Sequence, residues 1–135
     1  MDNEISKQMI LVVDDTPINI EVLVEILKDN YSVKFAKNGV MALKLAAKFI
    51  PDLILLDIMM PEMDGYEVCR KLKENPVTKN IPIIFVTAKD QETDEAKGFK
   101  LGAVDYIAKP VSPVIVKARV KTQLALYDQK RELSK

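Results

Sequence analysis

Residues 53–65 of this 135-residue chain read LILLDIMMPEMDG, an apolar run that passes straight into Asp57 and then into Pro61, Asp64 and Gly65. Such a run, bounded by turn residues, is the pattern of a strand buried on both faces, where an ionised carboxylate is costly to desolvate. Asp57 therefore belongs at the strand's end. Other polar residues hold similar places: Asp14 and Asp15 follow MILVV, Thr87 closes PIIFVT, and Lys109 follows VDYIA. Taken singly, each is commonplace, since Asp starts turns, Thr favours strands and Lys is usually solvated. Taken together they suit phosphoryl transfer. A carboxylate can attack phosphorus, while a hydroxyl, an ammonium and a divalent cation stabilise charge on the equatorial oxygens, which makes Asp57 the candidate nucleophile. Three neighbouring carboxylates repel, and at least one stays protonated unless a cation neutralises them. Magnesium is the expected cation, because it takes oxygen ligands and is held by one or two carboxylates with waters and phosphate oxygens. The chain has no histidine and one cysteine, which disfavours zinc and removes the commonest general base.

These residues need elements to bring them together. Met9–Val13 reads as a first strand. Thr16 and Pro17 begin a helix, with the threonine hydroxyl at the cap, and Ile20, Leu23, Val24 and Leu27 repeat at helical spacing to about Asp29. Ser32–Ala36 forms a second strand, Asn38 and Gly39 turn the chain, and a helix over 40–48 ends before Pro51. The third strand is Leu53–Leu56. The loop that follows has its turn set by Pro61 and Gly65, and Asp64 is placed to cap a helix over 66–73 that buries Val68, Leu72 and the packed thiol of Cys69. Met60 and Met63 read as packing. Pro82–Thr87 is the fourth strand, and Asp90, Gln91, Glu92, Asp94 and Glu95 start a helix with negative charge where the macrodipole favours it. Gly102 stops that helix, and Val104–Ala108 is the fifth strand. From Ser112 or Pro113 onward Val116, Val120 and Leu124 recur, and the helical pattern runs through Leu133, well beyond the usual length of about 11 residues.

Strands alternating with helices imply an α/β fold, a parallel sheet with right-handed crossovers and helices on its faces. Such sheets bind ligands at the carboxyl ends of their strands, where Asp14, Asp15, Asp57, Thr87 and Lys109 collect. Twenty basic residues balance twenty acidic ones, which leaves no electrostatic footprint for direct nucleic-acid binding. The N-terminus MDNEISKQM lacks the basic and apolar regions of a signal peptide, and no apolar run reaches membrane-spanning length. A cytoplasmic location without membrane contact is the expectation.

DD at 14–15, LLDIMMPEMDG around Asp57, VTA at 86–88 and DYIAKP ending at Pro110 together resemble the receiver domain of bacterial two-component response regulators. The TPINIEVLVEIL and ARVKTQLALYDQKREL segments resemble receivers attached to cyclic-di-GMP enzymes or to hybrid kinases. The resemblance implies a flavodoxin-like (βα)5 sandwich with a sheet of order 2-1-3-4-5. It implies that Asp57 accepts a phosphoryl group from a histidine kinase or histidine phosphotransfer protein, and that magnesium is held by Asp14, Asp15, Asp57 and the backbone carbonyl of Met59. Thr87 and Lys109 would bind phosphoryl oxygens, and Ala88 would leave the group accessible. Thr87 and Tyr106 would form the switch, Pro110 a cis peptide with Lys109, Gly65 a structural turn, and Met59 and Lys89 the positions that tune the phosphorylated form's lifetime. The switched face would be built from the fourth helix, fifth strand and fifth helix, acting on a C-terminal output domain, a partner protein or self-association into a homodimer. On this reading residues 1–8 are a polar tail, 9–125 the receiver, and 126–135 an extension of the last helix, a candidate linker to an output domain; the length of that helix leans toward a fragment of a longer product and leaves a full-length chain open. Two other readings stay open: a magnesium-dependent aspartyl phosphatase of haloacid dehalogenase type, disfavoured by DDTP where that class has DxD on the first strand, and an interaction domain whose acidic cluster is inert.

Overall fold

A computed structural model describes residues 7–88 and 92–133, with the side chains of 92–95 and 130–133 outside the description. Its elements are β1 (Met9–Val13), α1 (Pro17–Leu27), β2 (Ser32–Ala36), α2 (Gly39–Phe49), β3 (Leu53–Asp57), α3 (Gly65–Glu74), β4 (Ile83–Thr87), α4 (Glu92–Leu101), β5 (Asp105–Ala108) and α5 (Pro113–Leu133). All pairings are parallel and the sheet order is β2-β1-β3-β4-β5.

The apolar runs explain the layering. In β1, β3 and β4 successive side chains point to opposite faces, so continuous runs are satisfied only by helices on both sides. Leu11, Val13, Ile54, Leu56, Ile83 and Phe85 form one core with Ala42, Ala46, Val68 and Leu72 of α2 and α3. Ile10, Val12, Leu53, Leu55, Ile84 and Val86 form the other with residues of α1 and α5, among them Leu23, Leu27, Val116 and Val120. Cys69 is fully buried in the first core, and burial pushes its thiol up to about 11, which fits a packed rather than a reactive cysteine. Among the described residues no helix is long and apolar enough to cross a membrane.

Three local expectations are corrected. The Thr16 hydroxyl does not cap α1; it turns to the Asp15 carboxylate at 3.4 Å, while the Thr16 N–H donates to Asp14 Oδ1 at 2.9 Å. Asn38 lies in the bend between β2 and α2, but α2 begins one residue earlier than expected, at Gly39, because the Asn38 side chain accepts from the Met41 N–H at 2.8 Å and so satisfies an otherwise orphan donor. Val104 lies just before β5, although its N–H still bonds the Ile83 carbonyl at 2.9 Å. Asp64 caps α3 as its position predicts, accepting from Glu67 N–H at 2.9 Å, and α4 ends one residue before Gly102. Asp90 and Gln91 lie outside the described residues, as do the side chains of Glu92, Asp94 and Glu95 that would charge the start of α4.

Candidate functional site

Register, more than proximity in sequence, builds the site. Val13 pairs with Leu56 across β1 and β3, so the next residues, Asp14 and Asp57, emerge side by side. Thr87 pairs with Ala108 across β4 and β5, which places Lys109 at the same edge, and the Lys109 N–H donates to the Thr87 carbonyl at 2.9 Å. Asp57 is the last residue of β3, and its exposure is 3 %; Asp14 is exposed by 1 % and Thr87 by 1 %, whereas Asp15 and Met59 face solvent.

Two buried carboxylates demand partners. Lys109 Nζ supplies them, donating to Asp14 Oδ2 at 3.0 Å and lying 3.3 Å from Asp57 Oδ1. The Met59 N–H donates to Asp57 Oδ1 at 3.3 Å, and the side-chain amide of Asn19 reaches Asp14 Oδ1 at 3.5 Å. Burial first, and the Asp14 charge second, push the Asp57 carboxyl up to about 6, against the opposing pull of Lys109 and the Met59 N–H. Burial alone would lower the Lys109 ammonium, but its bonds to Asp14 and Asp57 outweigh that and raise it.

Asp14, Asp15 and Asp57 each present a carboxylate oxygen, all within 4.8 Å of one another. Oxygens around one magnesium at 2.0–2.1 Å stand about 3–4 Å apart, so this donor set suits a hard cation after a small closing movement. With three carboxylates facing one ammonium, negative charge remains in excess at the rim, which also favours a divalent ion.

The loop leaving β3 is set by a close approach at Gly65. Its N–H bonds the Ile58 carbonyl at 2.9 Å, and a Cβ there would overlap the Asp57 carbonyl oxygen and fall 2.7 Å from Ile58 Cα. Backbone cannot yield as a side-chain tip can. Gly65→Ala is therefore expected to destabilise the fold by roughly 1–3 kcal/mol and to slow any chemistry at Asp57; an unchanged urea midpoint would show that the loop relaxes freely. The Lys109–Pro110 peptide is cis. Tyr106 is buried, with its ring 5.5 Å from Phe85 and 5.3 Å from Phe99. Lys89 lies outside the described residues.

A family profile described as the response regulator receiver domain matches residues 10–121. The chain belongs to the response regulator receiver family. Over 121 residues this receiver is 50 % identical to a probable cyclic di-GMP phosphodiesterase of Vibrio cholerae, covering 90 % of this chain and 27 % of that protein. It is 46 % identical over 114 residues to the response regulator PleD of Caulobacter vibrioides, covering 84 % of this chain and 25 % of PleD. The receiver thus spans about a quarter of the length of these relatives. Among solved structures it resembles the receiver domain of a sensor histidine kinase from Pseudomonas aeruginosa, which carries a magnesium ion coordinated in its active site cleft. The TM-score is 0.82 at 29 % identity, over 89 % of this chain and 99 % of that one. Membership of a regulatory-domain family sets aside the haloacid dehalogenase reading. Two features of this receiver's site escaped the sequence: Asn19, in the first turn of α1, whose amide reaches Asp14, and the bridging of two carboxylates by Lys109.

Proposed function

We propose that this domain takes a phosphoryl group onto Asp57 from a phosphohistidine on a histidine kinase or phosphotransfer protein. An Asp57 oxygen attacks phosphorus, the P–N bond breaks, and the histidine departs as imidazole after taking a proton. The supporting observation is the shared cation: Lys109 holds the carboxylates of Asp14 and Asp57 side by side at the carboxyl ends of β1 and β3. Magnesium, bound by Asp14, Asp15, Asp57 and the Met59 carbonyl, would neutralise charge on the phosphoryl oxygens. In this chain Lys109 then pairs with a phosphoryl oxygen, Thr87 donates its hydroxyl to another, and exposed Ala88 leaves the approach open. Met59, 61 % exposed beside the acceptor, and Lys89 tune how readily water reaches the phosphoryl group.

Thr87 and Tyr106 form the switch, and its output face is that of α4, β5 and α5, where Phe99, Val104, Val114 and Ile115 are exposed. Residues 9–125 act as the cytoplasmic receiver. From 126 the long α5 leads toward an output domain, for which cyclic-di-GMP enzymes and hybrid kinases are the candidates; a partner protein or a second copy is the other target.

Intact mass after incubation with a small acyl-phosphate donor tests the chemistry. One magnesium-dependent phosphoryl group is expected on the wild type. No addition, or the same addition in Asp57→Ala, would remove Asp57 as acceptor and leave the inert interaction domain as the account. Chelation is expected to lower the thermal midpoint relative to millimolar magnesium, since an ion that binds only the native state stabilises it.

A further inference from the structure

Strand β2 ends the sheet at one edge, with α1 beside it on one face and α2 on the other. The two helix flanks that overlook this edge differ in charge. On the α1 side, Glu21 and Glu25 line a groove of about 680 Å³ with Val24, Val33, Phe35 and Lys37. Glu25 pairs with Lys28 at 3.0 Å, an exposed contact of the weak kind that a facing cation displaces. On the α2 side, Lys34 Nζ lies 4.3 Å and Lys48 Nζ 5.2 Å from the centre of the Phe49 ring, which puts Lys48 and Phe49 on the flank nearest β2. Lys44 stands four residues before Lys48, on the same stripe. From Ser32 to Ile50 the chain carries Lys34, Lys37, Lys44 and Lys48 and no acidic residue. Among the described residues neither Glu21 nor Lys44 has an ion-pair partner. Phe35, Met41 and Phe49 are all exposed at this edge despite their size. The two helices also match in length and height. Each has 11 residues, and each follows a strand whose last residue, Val13 or Ala36, is in register with the other. Glu21 and Glu25 are the fifth and ninth residues of α1, Lys44 and Lys48 the sixth and tenth of α2. Rows of unlike charge thus stand at one level with one spacing.

We propose that the β2 edge is a contact between two copies of this chain. A two-fold axis parallel to the strands and just outside β2 exchanges the faces of the sheet, so that α1 of each copy lies beside α2 of the other and the contact is made twice. Glu21 and Glu25 then face Lys44 and Lys48 of the second copy, and the groove above Val33 and Phe35 receives the flank of α2 around Phe49. Helices make the contact, because a lysine on an edge strand, here Lys34, disfavours the addition of a further strand. A membrane or a nucleic acid suits the surface less. Insertion into lipid or stacking on bases uses a bare ring, and the Phe49 ring is met by two ammonium groups. The β2 edge is opposite the β5 edge, so the pair leaves the face of α4, β5 and α5 free and forms without a phosphoryl group.

Sedimentation equilibrium of the whole chain, in chelator and without phosphoryl donor, tests the pairing. The wild type is expected as monomer and dimer in a ratio set by concentration, with the dimer weakening as salt rises. Two variants decide the surface. Glu21→Lys with Glu25→Lys makes both flanks basic, and Lys44→Glu with Lys48→Glu makes both acidic. Either variant alone is expected to raise the dissociation constant about tenfold or more, since like charges brought together across an interface repel. Mixed, the two are expected to form a one-to-one heterodimer with close to wild-type affinity, because a basic flank then meets an acidic one at both contacts. All four positions are exposed, and recovery on mixing shows that neither variant lost its dimer through misfolding. A dimer that survives in either variant alone, or a mixture of folded variants that does not recover, overturns the pairing. Species heavier than two copies would mean an open head-to-tail contact and overturn the two-fold axis. A wild type that stays monomeric up to millimolar concentration also overturns it. If that monomer pellets with phosphatidylserine vesicles, or binds polyglutamate, only while Lys44 and Lys48 are intact, the basic flank belongs to a membrane or to an acidic partner instead.

Discussion

Replacing Asp57 with Asn is expected to abolish phosphoryl loading and, in the same protein, to raise stability at neutral pH. The first effect follows from chemistry, because an amide oxygen is a poor nucleophile and cannot form the acyl phosphate. The second follows from burial. The Asp57 carboxyl is held up to about 6, first by burial and then by Asp14. In the unfolded chain it titrates near 3.9. Between about pH 4 and pH 6 the native state therefore holds a proton that the unfolded state has released, and stability falls as pH rises through that window. Above it the full penalty of ionising a buried acid remains, on the order of 3 kcal/mol. Asn keeps the shape without the charge, and Lys109 retains Asp14 as a partner at 3.0 Å. That penalty is already net of the attraction between Lys109 and Asp57, so a stabilisation of about 1–3 kcal/mol is expected at pH 7. Thermal melts of both proteins in chelator from pH 4 to 8 would show it as a difference that opens between pH 4 and 6 and is flat above pH 7. A difference that does not vary with pH would mean that the ionisation of Asp57 carries no penalty in the fold.

Lys109→Ala should act in the opposite sense and more strongly. The Lys109 side chain is 20 % exposed, while the whole side chains of the two acids it bridges, Asp14 and Asp57, are exposed by 1 % and 4 %. Its removal leaves two buried acids facing one another, so one must take a proton or recruit a cation, and breaking a buried pair in this way costs about 3–5 kcal/mol. That is a large share of the roughly 5–15 kcal/mol available to a domain. In chelator at neutral pH the midpoint should fall by about 10 °C or more, and magnesium should restore much of it by supplying the missing positive charge. Loading from acyl phosphate should slow by about 10²–10³-fold, as when one electrostatic donor is removed from a transition state. Lys109→Arg should recover part of the stability, but not the full rate, because a planar guanidinium cannot replace a compact ammonium between two carboxylates. An unchanged midpoint in chelator would show that the ion pair is neutral in its net effect.

The chemistry-bearing residues were legible because each lies next to a strong local signal. Asp14 and Asp57 end apolar runs too continuous to accommodate a charge, and Thr87 closes another. The helix starts were less legible. Thr16 and Asn38 are both good caps, yet one hydroxyl turned to a neighbouring carboxylate while the other side chain closed the first turn of its helix. Propensity alone does not rank a cap against a competing acceptor one residue away. Gly98 read only as a weak point in a helical pattern. Its reason appears once Tyr106, from the next strand, is packed against it.

The sequence by itself determined the alternation of five strands with five helices and the carboxyl-end placement of Asp14, Asp15, Asp57, Thr87 and Lys109, since periodicity and turn chemistry act over a few neighbouring residues. Only the tertiary structure decided that Lys109 would bridge two acids, that Asn19 would reach Asp14, and that Tyr106 would rest against Gly98. Those contacts join residues as many as 95 positions apart. Their distances depend on the register of β1 with β3 and of β4 with β5 and on how α1 and α4 settle on the sheet, which the packing of the whole core fixes together and no local stretch encodes.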